Sequence, residues 1–395
     1  MRSGRSRRRV PFQTSLNMIE IKKVESRKDR KEFLDFPLKK YKNNPNFVPP
    51  LYADEKKIFN DDYIYNDTCE TAYFLAKRNK VTVGRISAIL QKASNAKNNE
   101  KRVRFTRFDC ENDEEAAKAL FKAVEDFALE KGMDTVCGPL GFSDLEREGL
   151  LVEGFDQLST FEEQYNAEYY GALIEACGYE KEVDWVESKV YLPDEEEIAK
   201  IKKMSDFVMK RYGLRLPKCK STKEFLDKYK DDFFNLLDVA YEGLYGTVPF
   251  TDAMKKTMID GFRLIIDIKH VTVVLNEQNE VVCLGLCFPS LGKALQKSDG
   301  KLTPIALLKV LKAIKKPEII DLGLIAVRPD YVNRGVTAII AAGLVDILKQ
   351  NGVKYAETNL NLEDNFSIQN LWKRFNAERH KRRRSYVKVL EKTQI

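Results

Sequence analysis

A strand, a glycine-containing loop and a helix follow one another without interruption in Leu324–Ile340 (LIAVRPDYVNRGVTAII). The first backbone N–H groups of a helix have no partner within it, and the helix dipole favours an anion beside them. Gly335 permits an anion to approach the backbone closely, and Arg334 adds positive charge. No acidic residue occurs between Asn333 and Gly343. The segment predicts a pyrophosphate site, and a purely structural turn is the alternative.

A row of polar side chains follows in the segment AETNLNLEDN, residues 356–365. In a strand, alternation places Glu357, Asn359 and Asn361 on one face, and Thr358 and Leu360 on the other. Burying polar side chains without partners is costly, so a polar row inside a covered sheet indicates a function. The alternative is a strand end that faces solvent.

A second group of polar residues lies in the segment FSDLEREGLLVEGFD, residues 142–156. Its acids, which stand beside glycine-rich turns, are Asp144, Glu146, Glu148, Glu153 and Asp156. Because carboxylates attract cations, this segment is a candidate site for a cationic amine. A solvated loop is the alternative.

Composition limits the class of protein. Hydrophobic residues make up 43% and charged residues 32% of the 395 residues, as in soluble globular proteins. No apolar run reaches the roughly 18 residues of a membrane-spanning helix, and no apolar signal region is present, so we expect a cytoplasmic protein. Five arginines in residues 1–17 supply most of the net charge of +7. We predict a disordered tail there, with a nucleic-acid or anionic-membrane arm as the alternative.

Several kinds of site are excluded by the residues that are missing. The seven cysteines are scattered without a C-x-x-C pair, and only two histidines occur, so we predict reduced thiols and no metal site. No G-x-S-x-G segment is present, which argues against a serine hydrolase. The lack of a P-loop and of G-x-G-x-x-G argues against nucleotide hydrolases and Rossmann dehydrogenases.

The elements that must position these residues occur twice along the chain. A hairpin at residues 71–90 is followed by a helix that starts at residues 112–115 and is stopped by Gly132. A hairpin at residues 270–288 is followed by a strand, Ile319–Val327, and a helix, Val336–Gln350. Strand, helix, glycine and strand in this order predict an α/β fold with mixed sheets flanked by helices. We place a domain boundary at residues 195/196, giving domains at residues 18–195 and 196–395.

The loop at Gly335 resembles the phosphate loop of the GNAT acyl-CoA N-acyltransferases, V-x-P-x-x-(R/Q)-G-x-G-(I/V)-(G/A). Val327, Pro329, Gly335 and Val336 match, whereas Val332, Asn333 and Thr337 depart from the pattern. The later N-x-x-A-x-x-L-Y element of the family resembles the segment from Asn365 to Trp372. Trp372 stands where the family has a tyrosine that protonates the CoA thiolate; Tyr331 and Tyr386 are the nearest phenols in sequence.

From about Met18 onward the chain resembles one branch, the YghO-like proteins related to bacterial ceramide synthase. The matching phrases are NPNFVPPLYADEKKIF (residues 44–59), GLLVEGFD (residues 149–156) and NLEDN (residues 361–365). The resemblance implies tandem GNAT-like domains and acyl transfer from acyl-CoA to an amine, such as a lipid-like amine. It implies direct transfer, without a metal or a covalent intermediate.

This chemistry needs a base, donors for the oxyanion and an acid for the thiolate. As catalytic residues we predict Glu357, Glu363 and Tyr386. As residues that bind the CoA moiety we predict Val327, Asn333, Arg334, Gly335, Val336, Thr337 and Asn365. As residues that bind the substrate amine we predict Asn359, Asn361, Glu146 and Glu153.

The second half is the predicted CoA domain. The equivalent helix start in the first half carries four acids, Glu111, Asp113, Glu114 and Glu115, which repel a pyrophosphate. The basic run Arg379–Arg384 is predicted to contact the CoA 3′-phosphate or an anionic membrane, with a solvated turn as the alternative. A transferase that uses aminoacyl-tRNA and a non-catalytic acyl-CoA-binding protein stay open as alternative functions, although nucleic acid is not the expected partner.

Overall fold

The structure is a computed structural model that describes residues 18–391, so the predicted tail at residues 1–17 lies outside the described residues. Its strands are β1 (Ile19–Lys23), β2 (Cys69–Arg78), β3 (Val81–Gln91), β4 (Arg102–Cys110), β5 (Thr135–Gly138), β6 (Leu150–Glu153), β7 (Glu180–Tyr191), β8 (Val271–Leu275), β9 (Val281–Pro289), β10 (Ile319–Val327), β11 (Tyr355–Thr358), β12 (Asn361–Leu362) and β13 (Asn376–Val389).

The helices of the described residues alternate with these strands. They are α1 (Arg27–Lys40), α2 (Tyr52–Lys57), α3 (Lys92–Asn98), α4 (Glu114–Glu130), α5 (Tyr170–Glu175), α6 (Glu195–Arg211), α7 (Thr222–Ala240), α8 (Asp252–Ile265), α9 (Gly292–Leu295), α10 (Pro304–Lys315), α11 (Thr337–Leu348) and α12 (Phe366–Trp372), with 3-10 turns at Ile268–His270 and Pro329–Tyr331. Within residues 18–391, none of them has the length and apolar character needed to cross a lipid bilayer.

All the strands join one mixed sheet, which confirms the predicted α/β class. The order along it is β1-β2-β3-β4-β5-β13-β7-β11-β10-β9-β8, with β6 beside β13 and β12 beside β7. The two predicted hairpins are confirmed as the antiparallel pairs β2/β3 and β8/β9. The two halves therefore share one continuous sheet instead of having a separate central sheet each.

Helix α4 connects the parallel strands β4 and β5 in the first half. The Asp113 side chain accepts a hydrogen bond from the Ala116 N–H group at 3.1 Å, so it caps the helix. Along α4, Leu120, Phe121 and Val124 are buried in the core of this half. Burial of each such side chain stabilises the fold by about 1.5–3 kcal/mol.

Helix α11 performs the same connection between β10 and β11 in the second half. Its residues are mostly buried and apolar, because one side packs on the sheet and another on α6. Ile198 and Ile201 of α6 share a core cluster with Leu344 and Val345 of α11. The start of α11 is thereby fixed relative to the sheet.

The last strands of the two halves are exchanged. Strand β13, from the end of the chain, lies between β5 and β7 and pairs with both in antiparallel fashion. Strand β7, from the first half, pairs with β11 through Val190↔Ala356. Each half is thus completed by a strand of the other, and the boundary at residues 195/196 stays a prediction.

Two local features differ from the sequence prediction. The predicted strand at residues 355–362 is two short strands, β11 and β12, which both pair with β7. The run Arg379–Arg384 belongs to β13 and is not a solvated turn. Alternation in this strand points Lys381 and Arg383 into the interior, where buried carboxylates pair with them. These two cations are therefore not available to a membrane or a phosphate.

Candidate functional site

A gap in the sheet of the second half forms the main cavity of the described residues. The strands β10 and β11 pair from Ile319↔Tyr355 to Leu322↔Thr358 and then diverge. Beyond that point β10 continues to Val327 beside β9, with a shift of register at Gly323. The divergence opens a cavity of about 510 Å³.

The lining of this cavity comes from both halves of the chain and is largely apolar. Met254, Met258 and Phe262 line it at helical spacing along α8. Further apolar residues of the lining are Ile64, Trp185, Leu286, Phe288, Leu322, Leu324, Ile325, Leu360, Leu362, Ile368 and Trp372. Five carboxylate residues also line it, namely Asp144, Glu146, Glu148, Glu162 and Glu163. No Lys, Arg or His of residues 18–391 is part of the lining.

The loop before α11 meets this cavity through Val327 and Thr337. Gly335 has φ +76° and Asn333 has φ 69°, so the backbone turns sharply into the helix. Within residues 18–391, the N–H groups of Gly335, Val336 and Thr337 donate no hydrogen bond. Unpaired N–H groups at a helix start attract an anion.

Arg334 and Val336 flank Gly335 in different ways. The Arg334 guanidinium lies 4.8 Å from the ring centroid of Tyr331 and 5.5 Å from that of Tyr212, at an exposed position. Val336 is buried in the cluster beneath the loop. The loop thus has a cation at the surface and an apolar anchor below it, which suits the binding of a phosphate.

Glu148 combines burial with an oxygen that has no partner. The residue is 4% exposed, and within residues 18–391 its Oε1 makes no hydrogen bond. Burial and the Asp144 carboxylate raise the pKa of Glu148 well above its ordinary value, although Arg104 acts in the opposite direction. Burial therefore favours the protonated form of the Glu148 carboxyl group.

Glu163 has a similar environment. Its Oε2 lacks a hydrogen-bond partner within residues 18–391, and Arg383 Nε lies 4.0 Å from that oxygen. Burial raises the pKa of Glu163 to about 8, and the charge of Arg383 limits the rise. Burial also raises the pKa of Asp144, whose Oδ1 accepts a hydrogen bond from the Val248 N–H group at 3.2 Å. Burial thus favours the protonated form of these three acids, although Arg104, Arg147 and Arg383 oppose it.

Glu146 connects the cavity to a second, smaller one. Its Oε1 accepts a hydrogen bond from the Tyr63 hydroxyl at 3.0 Å, and its Oε2 accepts one from the Phe142 N–H group at 3.2 Å. The second cavity, of about 220 Å³, is lined from the first half and shares Leu145, Glu146 and Glu162 with the main cavity. The segment of residues 144–163 therefore forms the wall between the two cavities.

The polar residues after β11 also face the main cavity. Asn359, Asn361 and Asn365 line it. The Asn361 Oδ1 accepts a hydrogen bond from Trp372 Nε1 at 2.8 Å, and the Asn365 side chain accepts one from the Ile368 N–H group at 3.3 Å. Asn365 thus caps α12, while Asn361 orients the indole of Trp372 in the cavity wall.

Glu357 lies in a buried cluster of charges outside this lining. Lys381 Nζ donates a hydrogen bond to Glu357 and lies 3.2 Å from Glu187 Oε2, and His380 Nε2 lies 3.3 Å from Glu357 Oε1. Burial alone would raise the pKa of Glu357, but the Lys381 ammonium and His380 lower it to about 2. Glu187, Glu357 and His380 place ligand atoms within 4.8 Å of one another, a spacing that a metal ion could use. Lys381 pairs with both carboxylates, and Arg383 also pairs with Glu187 at 2.7 Å.

Comparison with known proteins places this geometry in a known fold. A tandem GNAT protein from the clavulanic acid biosynthesis pathway superposes with a TM-score of 0.55 at 12% identity, covering 95% of this chain and 100% of that one. A GCN5-related N-acetyltransferase from Sphaerobacter thermophilus superposes with a TM-score of 0.51 at 10% identity, covering 95% and 96%.

The chain has the tandem GNAT fold. In sequence it is similar to Protein YghO of Escherichia coli, with 26% identity over 374 residues, 92% of this chain and 94% of that protein. It is also similar to the bacterial ceramide synthase of Caulobacter vibrioides, with 24% identity over 313 residues, 78% of this chain and 79% of that protein. The resemblance to the YghO-like branch is therefore confirmed. No family model matches the chain.

In this tandem GNAT fold the predicted CoA-binding residues form one group. Val327, Thr337 and Asn365 line the main cavity, and Asn333, Arg334, Gly335 and Val336 form the loop at its side. Of the residues predicted to bind the amine, Asn359, Asn361 and Glu146 line the same cavity. Glu153 does not, because it lies on β6 with its carboxylate paired to Arg382 at 3.1 Å. All these roles stay predictions.

The three predicted catalytic residues are dispersed in the structure. Glu357 is in the buried cluster of charges, and Glu363 pairs with Arg382 at 2.9 Å and with Lys181 near the surface. Tyr386 is buried in the core of the first half, where its hydroxyl lies 3.5 Å from Glu175 Oε1. None of the three lines the main cavity, and their catalytic roles remain untested.

Part of the lining was not predicted from the sequence. Asp144 and Glu148 lie in a segment that was predicted as a candidate amine site, whereas Glu162, Glu163 and the apolar face of α8 were not predicted. The helical spacing of Met254, Met258 and Phe262 was a usable signal for an amphipathic helix. That the apolar side faces a cavity follows only from packing between distant segments.

Proposed function

We propose that the chain transfers an acyl group from acyl-CoA to the nitrogen of an amine held in the main cavity. The observation that carries the proposal is one cavity that reaches the start of α11, is largely apolar and holds five carboxylate residues without a Lys, Arg or His of the described residues. The tandem GNAT fold supports the reaction class. The relative named bacterial ceramide synthase supports a lipid-like amine as acceptor.

The donor binds at the loop before α11. The free N–H groups of Gly335, Val336 and Thr337 hold the pyrophosphate of CoA, and Arg334 adds an ion pair. The acyl thioester then lies between the diverging parts of β10 and β11, where Gly323 and Leu324 expose the strand to the cavity. CoA supplies the activated acyl group, and the chain supplies its position.

The acceptor binds at the carboxylates. An ammonium group beside Asp144 and Glu148 would lower the pKa values that burial has raised, so its binding is favourable. An apolar chain on the acceptor lies against Met254, Met258 and Phe262 of α8. A polar head with an apolar tail therefore fits the cavity better than a wholly polar amine does.

Transfer forms a C–N bond and breaks the C–S bond of the thioester. The bound ammonium first gives a proton to the Glu148 carboxylate, the neutral amine then attacks the carbonyl carbon, and the second proton that nitrogen loses goes to the departing thiolate. The thiolate takes this proton and leaves as CoA. Tyr241 is the phenol best placed to pass it on, since it lines the cavity and its hydroxyl donates to the Ile325 carbonyl oxygen of β10 at 3.1 Å.

The test is acyl transfer measured by mass spectrometry with acetyl-, octanoyl- and palmitoyl-CoA and a panel of short and long-chain amines. Glu148→Gln keeps the shape of the side chain but removes the base, so kcat/KM should fall about 10²–10⁴-fold. The wild-type rate should rise with pH through a pKa above the ordinary carboxyl range, because the carboxylate is the active form. The variant should lose that rise.

Glu168→Gln is the matched control, since Glu168 is exposed and is not part of the cavity lining. Unchanged kcat/KM and pH dependence in Glu148→Gln would exclude Glu148 as the base. CoA binding without turnover on any amine would indicate a non-catalytic acyl-CoA-binding protein. Trp372 favours this alternative, because it stands where the family has a tyrosine that protonates the thiolate. Binding of aminoacyl-tRNA without binding of CoA would indicate a transferase that uses aminoacyl-tRNA as its donor.

A further inference from the structure

Helix α10 exposes a set of large apolar side chains that nothing in the described chain covers. Ile305 and Leu308 are each 68% exposed, and Leu307 and Leu311 are about half exposed. Leu302, just before the helix, is 56% exposed. These five residues are part of sixteen large apolar residues exposed in residues 18–391, so almost a third of them fall within ten positions. Such a concentration marks an interaction site, whereas single exposed leucines are ordinary.

The inner side of the same helix is firmly packed. Ala306 and Val310 are buried, and Val310 shares a core cluster with Leu291 and Leu295. Thr303 caps the helix, since its side chain accepts a hydrogen bond from the Ala306 N–H group at 3.2 Å. The exposed apolar side is therefore held in one orientation by a folded helix.

The charge around this apolar side is strongly positive. Residues 292–316 contain seven lysines, at positions 293, 297, 301, 309, 312, 315 and 316, and a single acid, Asp299. Within residues 18–391, Lys309, Lys312, Lys315 and Lys316 form no ion pair with a carboxylate. The lysines of α10 alternate with its leucines, and long lysine stems can lie along an apolar surface while their ammonium groups reach outward.

We propose that α10 docks the protein on an anionic phospholipid bilayer, lying in the plane of the interface. The leucines and Ile305 enter the boundary between headgroups and acyl chains, and the lysines pair with lipid phosphates. A protein partner with an apolar groove would bury the leucines but needs a dense row of acids to match these lysines. An anionic membrane supplies both chemistries over the whole surface.

The location of α10 relates the docked surface to the cavity. Ile265, at the end of α8, packs on the core cluster that contains Val310 of α10, and Phe262, one turn earlier, lines the cavity. Phe161 packs in the same cluster as Val310, and its ring centroid lies 6.4 Å from that of Phe288, another lining residue. Docking through α10 would hold the apolar wall of the cavity close to the bilayer. The proposal concerns binding alone and does not rest on acyl transfer.

The experiment is sedimentation of the full chain with vesicles of phosphatidylcholine alone and of phosphatidylcholine mixed with phosphatidylglycerol. The wild-type protein should bind the anionic vesicles only, and added salt should weaken binding. Ile305→Ser/Leu308→Ser and Lys309→Glu/Lys312→Glu should each weaken it about tenfold or more. Val239→Ser removes an exposed apolar residue of α7 and should bind as the wild type does.

Circular dichroism of each variant verifies that it is folded, which is expected because the substituted side chains point to solvent. Failure of the folded wild type to bind anionic vesicles would overturn the proposal, as would equal binding by the wild type and the Ile305→Ser/Leu308→Ser variant. A dimer that Ile305→Ser/Leu308→Ser disrupts, detected by light scattering in the absence of vesicle binding, would also overturn it and assign the surface to a second copy of the chain.

Discussion

Glu357 lies opposite Asp321 in the parallel pairing of β11 and β10, so two buried carboxyl groups face each other in the sheet. Burial and the Glu357 carboxylate raise the pKa of Asp321, which favours its neutral form. Glu357 stays charged because Lys381 pairs with it. Lys381 of β13 thus stabilises the charged carboxylate of Glu357 beside β10.

We expect Glu357→Gln to reduce the free energy of unfolding by about 3 kcal/mol near neutral pH, because it breaks a buried ion pair while Lys381 keeps Glu187. The pKa of Glu357 is lowered from 4.5 to about 2 in the folded chain, so its contribution is fully present above pH 4.5 and is lost as pH falls towards 2. Urea unfolding across this range should show the wild type and the variant converging.

Glu363→Gln is the control at the residue scale. Glu363 forms ion pairs with Arg382 and Lys181 but is partly exposed, and exposed pairs contribute about 1 kcal/mol or less. An equal decrease in the free energy of unfolding in the two variants would contradict the buried Glu357–Lys381 pair as the source of the stability. The sequence placed Glu357 in a polar row but could not reveal its cation, because Lys381 is 24 residues later and on another strand.

At the scale of elements, the loop between β10 and α11 is the part that the sequence predicted best. Pro329 and Gly335 interrupt two apolar runs whose spacing is characteristic of a strand and a helix, and local chemistry determines such a turn. The apolar side of α8 and the strand character of the basic run at residues 379–384 were not predicted, because both depend on packing against segments that are distant in sequence.

We expect Gly335→Glu to weaken CoA binding by about tenfold or more, because a carboxylate at the helix start repels the pyrophosphate. Gly352→Glu is the matched control. Gly352 follows the other end of α11 with φ +99°, so both substitutions place a side chain in the left-handed region at a cost of about 1–2 kcal/mol. Calorimetric titration measures the CoA affinity of both variants. Equal affinities would show that CoA does not bind at the loop before α11.

At the scale of the whole molecule, the exchange of β7 and β13 joins the halves more strongly than their single connection would. The duplicated order of elements was visible in the sequence, and it implied two similar sheets. The exchange was not visible, because β13 pairs with β5 and with β7 using the same alternation of residues that a strand at an edge would show.

We expect the two fragments to stay associated when the backbone is cut in the loop between α6 and α7. A protease site inserted at residues 217–220 would leave β7 in the first fragment and β13 in the second, still paired along most of their length. After cleavage, gel filtration should give one peak in buffer and two in denaturant. Two folded fragments that separate in buffer would show that the exchanged strands do not hold the halves together.

The position of β13 also sets the order of events at the ribosome. Residues 376–389 are synthesised after β5 and β7, yet they occupy the place between them. Until they leave the exit tunnel, a nascent chain carries an open strand edge in its first half, the kind of edge that recruits chaperones or pairs with a neighbouring chain. Completion of the first half therefore waits for the synthesis of residues 376–389, and their emergence from the exit tunnel allows the sheet to close.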